Sequence, residues 1–240
     1  QDAAAALHGH DLMTVTHRLK ARPDHGQLRR VSLRLGGQMG GPGVLVHIGA
    51  HGLLPLAQSG ILPYKAGVPG DQGAVRAADI DETMDPQKAP FDEVARVSRL
   101  KALAVERGAE DVVIAADTIV VCDGTVLGKP HTVERAVEML SMLSGRAHQV
   151  MTGVTVVLGD KAETFTEVTD LHFRPLTQKE IRRYAESGEP LDKAGAYGIQ
   201  GGAALFCERM EGDYYNVMGL PVCRLGETLK ALVPGWEEDA

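Results

Sequence analysis

Cysteine is scarce in this 240-residue chain: Cys122, Cys207 and Cys223 stand far apart, odd in number and in no CxxC spacing. That argues against a cysteine zinc site and fits a reducing compartment, so the cytoplasm is the expected location. Long apolar runs are missing too. None reaches the length of a bilayer span, and no charged n-region with an apolar h-region opens the chain. Gln1 stands where a Met is expected, which reads as a trimmed or incomplete start. Acid is absent between Asp24 and Asp71, although the formal charge of the whole is -7. Residues 1–75 hold 7 Lys+Arg and 4 Asp+Glu, so the remainder carries a net -10. A body that acidic is a poor nucleic-acid binder. It can hold a polyphosphate only where metal ions and a few lysines are focused in one cleft. The glycine-rich run 36–43 lacks the GK[ST] ending of a phosphate loop.

What is present centres on residues 112–130. Val112 to Ala116 is an apolar, β-branched run, expected to be a buried strand that continues through Ile119 to Val121. Asp117 interrupts it. A carboxylate at the edge of a buried strand is costly unless paired, hydrogen-bonded or metal-bound. Asp123-Gly124 is the dipeptide of a type I′ hairpin, and Lys129 follows on the return. An acid and a base twelve residues apart can then face one cleft; a structural salt bridge explains the same residues.

Around that stretch, strands and helices alternate, which predicts an α/β protein with a mixed sheet. Residues 1–42 read as an atypical extension, their order left open by the sequence, and 43–240 as the folded body. Val44 to Ile48 is strand-like and Leu53 to Gln58 helix-like. His47 and His51 lack a third metal ligand. Asp79, Asp81 and Glu82 make an acidic turn, either a solvated loop or part of a cation site. Phe91 to Arg107 carries an amphipathic helix with Lys101 beside its buried stripe, where a snorkelling lysine is the plain reading. Thr132 to Ser144 is a capped helix, and Gln149 to Phe173 a long hairpin. Thr177 to Glu180 is a capping box. Residues 192–202 are rich in small side chains that bring backbone close to a neighbour. Ala203 to Cys207 and Tyr214 to Met218 are expected as short strands, before a last helix ending at Leu232.

Taken in order, Asp81-Glu82-Thr83, Lys101-Ala102, Ala116-Asp117-Thr118, Gly128-Lys129-Pro130, Leu143-Ser144-Gly145-Arg146 and Thr152-Gly153-Val154 resemble the Maf family of nucleoside triphosphate pyrophosphatases. Asp192-Lys193-Ala194-Gly195, Tyr197-Gly198-Ile199-Gln200-Gly201 and Asn216-Val217-Met218-Gly219-Leu220-Pro221 extend the likeness, which covers about Ala77 to Leu232. The resemblance implies a Maf/ITPase-like elongated mixed sheet flanked by helices, with two lobes around a deep cleft. It implies cleavage between the α- and β-phosphates with a divalent cation, Mg²⁺ or Mn²⁺. Asp117 would be the general base, Glu82 and Asp117 would hold the metal, and Lys101 and Lys129 would meet the phosphates. Thr118 and Gln200 match the subgroup that prefers dTTP and UTP. A homodimer is also implied; neither a nucleic acid nor a membrane is an expected partner.

Those residue types suit the chemistry. Attack on a phosphorus ringed by anionic oxygens needs charge neutralised first. A carboxylate that holds a cation can also orient a water. One motif departs from the family pattern. The loop close to Ser-x-Ser-Pro-Arg-Arg after the first strand is replaced by Val44 to Gln58, in which His51 is at best a partial stand-in for arginine. A nucleotide-binding regulatory protein with weak or no catalysis is therefore the rival expectation.

Overall fold

The structure is a computed structural model that describes residues 80–108 and 111–232, together with the backbone of 29–34 and 43–48. Strands β1 (Arg29–Arg34) and β2 (Gly43–Ile48) precede helix α1 (Pro90–Leu103). Then come β3 (Val112–Cys122), β4 (Thr125–Leu127), α2 (Val133–Leu143), β5 (Ala147–Leu158), β6 (Lys161–Phe173) and α3 (Gln178–Glu186). Three 3-10 turns lead to β7 (Cys207–Glu211), the single-turn α4 (Tyr214–Val217) and α5 (Val222–Leu232). The sheet runs β1-β2-β3-β5-β6-β7, with β4 beside β3. Among the described strands only β2 and β3 pair in parallel, so the sheet is mixed, as the alternation of elements predicts. β1 lies within the expected extension and pairs along β2.

The register of β3 explains where a site can form. On one side β5 pairs it without interruption from Val112 to Val121. On the other side β2 pairs only Val112 to Ala115, and β4 only Val120 to Cys122. Residues 116–119 therefore have no strand partner on that side among the described residues. This opening lies at the C-terminal end of a parallel pair, where diverging strands leave room for a ligand in α/β proteins.

Side chains of β3 alternate between two faces. Val113 and Ala115 pack with Ala102 and Val105 at the end of α1, while Ile119 and Val121 pack with Val94 and Met151. Val112, Ile114 and Ala116 face Leu220, Leu225 and Leu229 of the C-terminal segment. Val120 and Cys122 join the core under α2 and α3. Residues of both parities are buried because helices cover both faces, which is why the strand reads as a continuous apolar run.

Local signals explain most boundaries. Asp123 and Gly124 both adopt positive φ, 48° and 75°, as a type I′ turn demands. Thr132 caps α2 by accepting from Arg135 N, and Thr177 and Glu180 form the reciprocal capping box of α3. Three expectations need correction. α1 ends at Leu103, not Arg107: its last turn tightens, with Val105 N donating to Ala102 O, and Val105 drops into the core. The segment expected as strand at 203–207 is a 3-10 turn over Gly202–Leu205, and the strand begins at Cys207. Tyr214 to Val217 is helical because Asp213 caps it, accepting from Tyr215 N at 2.7 Å. Leu53 to Gln58 lies outside the described residues.

Candidate active site

Asp117 is the only acid in β3, and its side chain leaves the sheet on the α1 face. α1 can reach it because of Gly153, the cross-strand partner of Asp117. A Cβ at Gly153 would run into the carbonyl of Val94 and lie 2.8 Å from Ala95 N. The missing side chain lets the helix backbone settle on the sheet, and Lys101, two turns further along, then lies over Asp117. Lys101 Nζ is 2.5 Å from Asp117 Oδ1 and 3.1 Å from Glu82 Oε2. Lys101 is 1% exposed, so it does not snorkel: its ammonium ends between two carboxylates rather than in water.

Glu82 reaches this place through a clamp. Arg96 on α1 donates from Nη2 to Thr83 O at 2.8 Å and forks onto buried Glu93 at 2.9 and 2.8 Å. Glu93 Oε2 also accepts from Asp85 N. The Arg96 hydrogen bonds, then that from Asp85, hold the Glu93 carboxyl at about 2. The segment 81–85 is thus tied to α1, with Glu82 at its outer edge. Neither Glu93 nor Arg96 was singled out in the sequence; the signal was a Glu/Arg pair at i, i+3 in the first turns of the helix.

The electrostatics of Asp117 follow from this setting. Burial pushes its carboxyl above the usual carboxylate range, Lys101 opposes the rise, Glu82 adds to it and Lys129 lowers it slightly. Asp117 therefore feels both lysines and the second acid. Lys129 is exposed beyond β4 and makes no hydrogen bond or ion pair among the described residues. Its neighbour Gly128 accepts from Gly195 N at 3.1 Å. Gly195 has φ 66° and no room for a side chain, since a Cβ would lie 2.8 Å from Val120. Here the small residues of 192–202 do bring backbone against β3. Gln200 is exposed five residues on and has no hydrogen bond to Asp117, Lys101 or Glu82.

Thr118 departs from its neighbour. Strand alternation sends it to the opposite face, where Oγ1 lies 3.0 Å from Thr152 Oγ1 on β5. Thr152 Oγ1 donates to Asn216 O at 3.0 Å. Asn216 Nδ2 donates to Val150 O and to Thr169 Oγ1, while its Oδ1 is buried without a partner among the described residues. Thr152 and Asn216 stand in family-like motifs that by themselves assign them no role; the signal is a polar Thr-Gly step inside the apolar run of β5.

The structure thus brings Asp117, Lys101 and Glu82 into contact, puts Lys129 within their field, and leaves Thr118 one peptide away on the other face. Side chains of His47 and all of His51 and the Ser-Pro-Arg position lie outside the described residues. Among the described residues no three acids, histidines or cysteines converge on a metal. Two carboxylates that already share one positive group are nonetheless a hard-oxygen donor set of the kind Mg²⁺ uses alongside substrate phosphates.

Fold and site together define a mixed α/β protein with a carboxylate–ammonium centre at a break in its central sheet. Residues 65–232 match the family described as Maf-like protein, and the chain belongs to the Maf family. It is 46% identical over 157 residues to a dTTP/UTP pyrophosphatase of Bacillus pumilus, covering 65% of this chain and 83% of that protein. The dTTP/UTP pyrophosphatase of Bacillus anthracis is 45% identical over 166 residues, 69% of this chain and 85% of the relative.

Proposed function

We propose that the chain hydrolyses nucleoside triphosphates, dTTP and UTP preferred, to the monophosphate and pyrophosphate, as a nucleotide-pool sanitising enzyme. The observation that carries this is the ammonium of Lys101 held between Asp117 and Glu82, beside the stretch of β3 that has no strand partner on one side among the described residues. Asp117 serves as general base, orienting the water that attacks the α-phosphorus and accepting its proton. Lys101 and Lys129 meet the phosphate oxygens as point charges. Glu82 and Asp117 would hold a divalent cation, Mg²⁺ or Mn²⁺, which supplies charge neutralisation at the transferring group when bound. Thr118 and Gln200 read the base. Both relatives are dTTP/UTP pyrophosphatases, which supports the substrate class.

Residues 43–240 would form the pyrophosphatase unit and residues 1–42 an extension to it. The scattered cysteines support a cytoplasmic setting. No helix among the described residues is long and apolar enough to cross a membrane. A homodimer, read by light scattering, completes the proposal. The deciding experiment is pyrophosphate release from dTTP, UTP, CTP and 7-methyl-GTP with and without Mg²⁺. Turnover of dTTP and UTP that disappears in Asp117→Asn supports the reading. Binding of dTTP without turnover by the unmutated protein sinks it in favour of a regulatory nucleotide binder.

A further inference from the structure

We infer that Thr152 is a positioning residue that fixes the polarity of the Thr118 hydroxyl, leaving Thr118 a hydrogen-bond acceptor toward the nucleotide base. The inference rests on the proposed role of Thr118 as a contact to the nucleotide base and deepens it. A threonine hydroxyl has one proton to give. Thr152 gives its proton to the backbone carbonyl of Asn216, a group that can only accept. In the 3.0 Å contact between the two hydroxyls, Thr118 must then be the donor. Its proton is spent inward, and only lone pairs remain for the partly exposed side.

The surroundings hold this arrangement. Thr152 and Asn216 are fully buried, so bulk solvent offers no alternative partner. Asn216 is fixed by Nδ2 to Val150 O at 3.1 Å and to Thr169 Oγ1 at 2.9 Å. Thr169 donates its own proton to Asp213 O and accepts from Asp213 N, so every proton in the chain has one direction. Turning the Thr118 proton outward would set two oxygens 3.0 Å apart with no hydrogen between them, stranding lone pairs on a buried group.

The proposal has the base face Thr118 with N3, and the polarity separates bases at that atom. Uracil and thymine carry N3–H, a donor that an acceptor-only hydroxyl receives. Cytosine carries a lone pair at N3, which that hydroxyl meets with its own. The structure therefore favours the imide over cytosine through a residue that need not touch the substrate.

The test is titration calorimetry at fixed Mg²⁺ with the α,β-methylene analogues of UTP and CTP, which report base preference without turnover. The unmutated protein should bind the UTP analogue roughly tenfold or more tighter, the usual scale when a site leaves a polar group unpaired. Thr152→Val frees the Thr118 proton and should bring the ratio to within about threefold, while Thr152→Ser restores it. A wild-type ratio near one, or a ratio that Thr152→Val leaves unchanged, overturns the inference; so does an equal loss in Thr152→Ser.

Should Thr152→Val fail to fold, the unmutated protein with the 4-unsubstituted 2-pyrimidinone nucleotide decides. That base has an N3 lone pair and no 4-amino group, and rejection matching the CTP analogue is expected. Acceptance equal to the UTP analogue would mean that Thr118 can donate. A clear preference in binding with no pyrophosphate released leaves this inference standing and removes the pyrophosphatase reading.

Discussion

Gly153 and Val94 meet backbone to backbone: the α-carbon of the one faces the carbonyl of the other with no space for a methyl group between them. This contact sets the height of α1 above the sheet, and with it the reach of Lys101. Gly153→Ala should therefore lift the helix. Overpacking of this kind costs about 1–3 kcal/mol. Chemical denaturation should read that loss, and pyrophosphate release should fall with it. Unchanged stability would mean that the helix seat yields at no cost.

Lys101→Met is expected to be more damaging to the site than to the fold. It leaves two carboxylates facing each other without their shared cation. Glu82 has a side chain 40% exposed and can turn to water; Asp117 at 14% has little such freedom. Removing one partner of a buried pair costs about 3 kcal/mol at the lower end of the usual range. Loss of the charge contact proposed for Lys101 at the phosphates should lower turnover about a hundredfold or more. The double variant with Asp117→Asn should regain much of the stability and none of the activity, a coupling measurable by a double-mutant cycle.

The pH profile follows from the Asp117 carboxyl. Burial raises it above its unfolded value of 3.8, with Lys101 opposing. In its proposed role as general base Asp117 must be ionised, so the acid limb of kcat/KM should lie above the ordinary aspartate range. Removing Lys101 removes the opposing charge and should push the limb higher still; added Mg²⁺ should draw it down. In stability the sign is the same as for any acid raised by burial: its contribution is full below pH 3.8 and is lost as pH rises through the folded value.

Glu93 has the opposite sense. Its folded value of about 2 lies beneath the unfolded 4.5, so the pair with Arg96 adds stability above pH 4.5 that drains away as pH falls toward 2. Glu93→Gln should flatten that part of the acid unfolding curve. Arg96→Met should speed amide exchange across 81–85, because it removes the bond to Thr83 O along with both bonds to Glu93.

How much of this could be read from the chain depends on the range of the interaction. The type I′ turn at Asp123-Gly124, the Thr132 cap and the Thr177 capping box are fixed by residues within a few positions, and the sequence states them outright. Asp117 stood out because an acid in an apolar run demands a partner. Lys101 and Glu82 are legible only through the family resemblance: their own local patterns read as a snorkelling lysine and an acidic turn, because a distant glycine seats the helix of the one and the Arg96 clamp places the other. Tyr214 to Met218 was misread for a related reason: its aromatic and branched residues favour strand, while one Asp213 cap decides for helix. The opening beside residues 116–119 had no local signature at all. It arises from where β2 stops and β4 starts.

That opening has a consequence for how the protein tolerates change. Peptide groups of residues 116–119 that turn toward it lack ladder partners among the described residues and are left for solvent or for whatever lies alongside. A contact made by the main chain survives nearly every replacement of the side chain above it, proline excepted. Grip supplied in this way is insulated from mutation, so the surrounding letters can drift while the hold on a guest persists.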